Sequence, residues 1–263
     1  MTGNPKVGHL DIANFTVGGM LRAGIAARQV ARDARSLEEA ADLVVRYFYD
    51  NCVDATTGER TTVLVRFYKT HRYGALEPTM QLVARQQLGV MTPAADMRVL
   101  TLLGTAGQEP EWNSRRRSRA HQAIPLPSAD IVRQAPMIAR LIEELGLEIE
   151  SVVSGNAPAS RPGEARNYDV FHVEQARGSP HIPAQEEFVE RYGVESVVGF
   201  GGLLRSGELF AVILFSRVAI PSASAARFRA IALDVRSALY TLDEDRTWNS
   251  SVATLGAAGA GGA

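Results

Sequence analysis

The stretch Val194–Arg217, VESVVGFGGLLRSGELFAVILFSR, narrows the choice of fold more than any other part of the chain. It reads as two apolar strands, Val194–Leu204 and Glu208–Ser216, joined by the polar, glycine-containing turn Arg205-Ser206-Gly207. The second strand is almost continuously apolar, which predicts cover on both of its faces. Ala219-Ile220-Pro221-Ser222 then stops the strand and opens a helix, with Ser222 or Ser224 as its N-cap. In that helix Phe228, Ile231, Ala232, Val235, Ala238, Leu239 and Leu242 form a helical stripe. A hairpin followed by an amphipathic helix argues for an antiparallel sheet with helices packed on it.

The rest of the chain fits that plan. Residues 1–14 read as a flexible lead-in and 15–35 as an N-terminal helix weakened by Gly18, Gly19 and Gly24. Ser36-Leu37-Glu38-Glu39 is a capping box. It starts a helix whose buried face is Leu37, Ala40, Ala41, Val44 and Phe48. Arg60–Lys69 alternates as a strand, with Val63, Val65 and Phe67 on one face and Leu64, Arg66 and Tyr68 on the other. Leu76–Leu88 is helical and Met97–Thr105 is a second strand. Ala120–Pro127 is extended, and Ser128–Leu145 is a helix interrupted near Pro136. Leu147–Val153 and Tyr168–Glu174 read as short strands, and residues 243–263 as a disordered tail.

Composition excludes several functions. A net charge of -1 over 263 residues gives no field of one sign to hold nucleic acid. No apolar run approaches the roughly 20 residues of a membrane span, and the N-terminus lacks a secretion-signal layout, so the expected location is cytoplasmic. The single cysteine, Cys52, excludes an internal disulfide and a multi-cysteine zinc site.

Four segments resemble the GAF domain family: SLEEAADLVVRYF, TTVLVRFY, RVLTLLGTAG, and above all GELFAVILFSRVAIP followed by ARFRAIALDVRSALYTL. The resemblance spans residues 36–242 and is most specific in the last fifty or so. It implies an α+β fold with a six-stranded antiparallel sheet. The first and last helices lie on one face, and a loop- and helix-roofed pocket lies on the other. A PAS domain is the runner-up fold. HQAIPLPSADIV and GSPHIPAQEEFVERYG look like loops of GAF modules found beside bacterial histidine kinases.

Through that resemblance, Arg66, Trp112, His121, Gln122, Tyr168 and His172 become pocket candidates, because their segments would surround the pocket. The glycines of Gly199-Phe200-Gly201-Gly202 lie inside a strand, so a close backbone approach explains them better than a phosphate loop. His121, His172 and His181 with Glu174 match no metal-ligand spacing. Arg115–Arg119 reads as a solvated basic loop. GAF-type methionine sulfoxide reductases need more than one cysteine, and the N-K-x-D-E motif of cyclic-nucleotide-binding GAF domains is missing. No nucleophile–base pair can be named.

The expectation is a non-catalytic sensory or regulatory domain. It binds a small molecule of unknown identity, pairs with a second copy through its outer helices, and signals to a histidine kinase or other effector. Two alternatives remain: a ligand-free dimerisation scaffold, or an uncharacterised small-molecule enzyme in which His121 is the residue to test.

Overall fold

A computed structural model describes residues 8–89, 92–118, 121–156, 169–242 and 247–248. Two helices open the chain, α1 (Val17–Arg32) and α2 (Leu37–Asn51). Strand β1 (Thr62–Arg72), helix α3 (Pro78–Leu88) and strand β2 (Arg98–Gly107) follow. The middle holds β3 (Ala123–Leu126), three short helices α4 (Ala129–Arg133), α5 (Pro136–Glu144) and α6 (Ile149–Ser154), and β4 (Phe171–Val173). The hairpin β5 (Ser196–Leu203) and β6 (Leu209–Ser216) leads to α7 (Ser222–Ala225) and α8 (Phe228–Leu239).

The strands form one six-stranded sheet in the order β3-β2-β1-β6-β5-β4. Every neighbouring pair is antiparallel. Strand alternation gives the sheet two apolar faces. Val65, Phe67, Leu103, Val198, Phe200, Phe210, Val212 and Leu214 pack beneath α2 and α8, and α1 lies against those two helices. Leu64, Tyr68, Leu102, Val197, Ile213 and Phe215 face α5, α6 and the π-helix Gln185–Glu190 that carries Val189. All eight residues of β6 are buried, as its unbroken apolar run requires. The fold is thus GAF-like α+β, with the first and last helices on one face and short helices roofing the other.

Several local readings change. Leu147–Val153 does not form a strand: Ile149 and Val152 are buried one helical turn apart in α6, and Gly155, at φ 68°, ends that helix. Strand β1 runs on past Lys69 to Arg72, because β2 pairs with it as far as Arg98. Neither Ser222 nor Ser224 is the final N-cap. The predicted helix divides in two, with Pro221 at the N-cap of α7 and Arg227 at that of α8, and the Ser224 hydroxyl accepts from Phe15 N–H (3.3 Å) and donates to Ala13 C=O (3.1 Å).

That pair of bonds explains why the end of the lead-in is packed. Leu10 and Ile12 are buried, and Leu10 N–H donates to Asn51 C=O at 2.8 Å. At the other terminus Thr247 C=O accepts from Glu38 N–H (2.9 Å), and Trp248 stacks on His71, so these two residues are not part of a disordered tail. Residues 1–7, 243–246 and 249–263 lie outside the described residues.

Candidate functional site

Arg66 sits in the middle of β1, between Val65 and Phe67, which point to the helical layer. Its own side chain therefore stands on the opposite face, with Leu64 and Tyr68. One guanidinium nitrogen donates to the Tyr68 hydroxyl (3.2 Å) and another to the Ser118 hydroxyl (3.3 Å). The Arg66 Nε is buried without a partner. Among the described residues no carboxylate pairs with it.

The loop after β2 brings Ser118 and His121 to Arg66. It is pinned at several points. Arg115, read from sequence as part of a solvated loop, is 6% exposed. Its Nε donates to Glu38 of α2 at 2.6 Å and its terminal nitrogen to Glu77 at 3.2 Å. The Arg115 charge also lies 4.9 Å from the Trp248 ring centroid. Gln122 holds the loop from the other side, its side-chain amide donating to the Arg115 (2.8 Å) and Arg116 (3.3 Å) carbonyls. Arg116 and Arg117 remain exposed, and Arg119 lies outside the described residues.

His121 has φ 63°, the one positive value at a non-glycine residue among those described. Such a conformation costs roughly 1 kcal/mol and persists only where the surroundings impose it. Here the bonds of Gln122 and the pairing that begins at Ala123 impose it. His121 is exposed, yet the protein beside its ring and, secondly, the Arg66 charge lower its pKa, so the ring is neutral at pH 7. A neutral imidazole offers one donor and one acceptor.

The other candidates divide. Trp112 packs edge-on against Phe188 (5.6 Å) and Tyr192 (4.8 Å), and its carbonyl accepts from the Thr105 hydroxyl (2.9 Å). Thr105 pairs with Arg66 across the sheet, so Trp112 forms the wall on that side. Tyr168 lies outside the described residues. His172 is on β4, at the far edge from β3. Five strand spacings at roughly 4.8 Å each separate those edges by about 24 Å, so His172 and His121 do not share a pocket.

His172 belongs to a different place, an open cleft of about 660 Å³ lined by residues including Arg140, Glu144, Glu174, Arg177 and Ser222. Its backbone N–H donates to Glu144 Oε2 (2.9 Å), and its C=O accepts from Arg140 (2.9 Å). Arg140 also donates to Glu144 Oε1 at 2.7 Å. This pair occupies the backbone groups that an edge strand leaves open. The ring Nε2–H donates to Ile220 C=O at 2.8 Å, which fixes the tautomer.

Sequence reasoning placed Arg66 and Tyr68 on one face but missed Ser118, Arg115's burial and the Arg140–Glu144 cap. Alternation carried the first. The others depend on partners distant in sequence. No group of three or more His, Cys, Asp or Glu that could hold a metal occurs among the described residues. Cys52 is fully buried, and burial pushes its thiol far above the usual range, away from thiolate chemistry. No helix among the described residues is long and apolar enough to cross a membrane.

No family model and no curated protein matches this sequence. Solved structures similar to it include fRMsr of Staphylococcus aureus in complex with substrate, at 9% identity and a TM-score of 0.44, over 84% of this chain and 95% of that one. Another is the GAF domain of an Acinetobacter phosphoenolpyruvate-protein phosphotransferase, at 12% identity and a TM-score of 0.40, over 84% and 93%. A third is the phycocyanobilin-bound GAF domain of a cyanobacterial phytochrome, at 12% identity and a TM-score of 0.42, over 84% and 94%. The GAF-like assignment rests on the strand order and helix placement described above.

Proposed function

We propose that this chain is a non-catalytic GAF-like sensory module that holds a small molecule on the Arg66 face of its sheet and pairs with a second copy through α1 and α8. Residues 36–242 form the module, and α1 completes its helical layer. The observation that carries the reading is the outer surface of that layer. Val17, Leu21 and Ile25 recur every fourth residue on α1 and stay 46–57% exposed. On α8, Leu233 is 54% exposed, and its neighbour Asp234 pairs with Arg28 of α1 at 3.6 Å. One side of the layer is therefore buried on the sheet, and the other offers an apolar stripe to a second helix pair. A histidine kinase or comparable signalling protein would read a change in that pairing.

The test is native mass spectrometry of the full chain, with Leu21→Glu beside it. The reading expects a dimer with a retained non-covalent mass, and a folded monomer for Leu21→Glu. A monomeric wild type would refute the pairing.

A second reading, a ligand-free dimerisation module, draws on the packing of Trp112 against Phe188 and Tyr192 and of Leu141 against Gly199. It expects the dimer without any retained mass.

A further inference from the structure

We infer that the ligand of the Arg66 face is a small oxyanion, a carboxylate or phosphate, held by the Arg66 guanidinium with Tyr68, Ser118 and His121 around it. This rests on the proposal that the Arg66 face is the ligand side, and adds what kind of molecule it takes.

The chain's own arginines supply the contrast. Among the described residues, the two buried arginines both have acidic partners. Arg98 lies 3.6 Å from Glu208, and Arg115 is held by Glu38 and Glu77. Arg66 is half-buried on a sheet face, and its two described partners are neutral hydroxyls. A guanidinium has five N–H donors in a planar fork, so three remain after those bonds, one of them on a buried nitrogen. A half-buried cation whose described partners are neutral carries part of the desolvation cost of a buried charge, which a hydroxyl offsets only in part. An oxyanion would supply both the missing charge and the missing acceptors, and the fork suits a carboxylate or phosphate.

The surroundings favour the same class. Neutral His121 adds a donor without adding repulsion to Arg66. The Tyr68 hydroxyl can turn a proton toward an anion. Arg116 and Arg117, exposed on the same loop, raise the local concentration of anions. Arg115 before Ser118 and Gln122 after His121 are both held by hydrogen bonds, which limits the ordering that binding requires.

The experiment uses the full chain and two probes of one shape and opposite character, acetate and its neutral analogue acetamide, with inorganic phosphate as a third. Melting temperature and calorimetric affinity are followed at constant ionic strength for the wild type, Arg66→Gln, Arg66→Lys and Ser118→Ala. The wild type is expected to gain melting temperature saturably with acetate or phosphate and not with acetamide. Arg66→Gln should lose at least tenfold in affinity, with Arg66→Lys between the two. Without anion, Arg66→Gln should melt at or above the wild type, and at saturating anion below it. A purely structural arginine would not produce that crossover.

Equal responses to acetate and acetamide, undiminished anion binding by Arg66→Gln, or no response to either anion would overturn the inference. A retained neutral or cationic mass in the native spectrum would also overturn it, while leaving the sensory reading intact. A dimer with no retained mass and no response to any of the probes would count against both.

Discussion

His71 makes the stability of this fold depend on pH in a way that one substitution should remove. It lies near the end of β1, 7% exposed, with its ring stacked on Trp248 at 5.3 Å and 26°. Neither ring nitrogen has a hydrogen-bond partner. Burial holds its pKa well below 6.5, and the charges of Lys69, Arg115 and Arg98 push the same way, against a smaller upward effect of the Lys69 backbone. In the folded protein the ring stays neutral, whereas in the unfolded chain it takes up a proton near pH 6.5. The unfolded state therefore binds more protons below that value, and stability is lost as pH falls. Between pH 7.5 and 5.5 this single group costs about 1.4 kcal/mol, or roughly 4 °C in melting temperature for a fold of this size. His71→Phe keeps an aromatic ring against Trp248 and cannot titrate. Urea unfolding at both pH values, for the wild type and the variant, isolates the effect from every other titrating group. The wild type should lose about 1.4 kcal/mol more than His71→Phe over that interval. Equal losses in the two proteins would refute the account.

Two further outcomes follow from the packing. A methyl group at Gly104 would lie 2.6 Å from the Ala41 carbonyl carbon and oxygen of α2, whereas one at Gly199 would meet the movable Leu141 side chain at 3.0 Å. Gly104→Ala should therefore cost about 2–3 kcal/mol and Gly199→Ala under about 1 kcal/mol by urea unfolding; similar costs would contradict a helix seated directly on β2. The Cys52 thiol should react with a thiol reagent only as the protein unfolds, and rapid stoichiometric labelling in native buffer would disprove its burial.

What the sequence revealed follows from how far apart the deciding partners are. The β5–β6 hairpin was legible because both strands and their turn lie within two dozen residues. The start of α2 was legible because the Ser36 hydroxyl accepts from Glu39 N–H at 3.0 Å, a contact three residues long. The Glu39 carboxylate reaches back to Arg35 N–H, one residue beyond the usual capping-box partner. Residues 147–153 were not legible, because a short apolar run fits a buried strand and a buried helix equally well. Arg115 was misread for a different reason. Three adjacent arginines suggest solvent, but Glu38 and Glu77 lie 77 and 38 residues away, and only the fold brings them to the loop. The same holds for the site. Alternation alone put Arg66 and Tyr68 together, but the separation of His121 from His172 is a matter of strand order, which no local pattern encodes.

Strand order also sets how a signal would cross the molecule. Arg66 lies on the central strand β1, so its neighbours in the chain, Val65 and Phe67, already touch the helical layer. Phe67 stacks on Phe210 at 5.8 Å. Both belong to the same core as Phe48, Phe200 and Phe228, whose rings contact one another at 5.5–6.3 Å. Phe228 in turn meets Phe15 at 5.0 Å, at the start of α1. A ligand that shifts Arg66 thus acts on α1 and α8 through close-packed side chains, with no loop between to absorb the movement. A ligand in the cleft at His172 would meet a different mechanical situation. Strand β4 is three residues long and lies at the sheet edge, where the Arg140–Glu144 pair holds its outer side. Movement there can be taken up by that pair before it reaches β5. Of the two places, the Arg66 face is the one from which the proposed dimer contact can be driven.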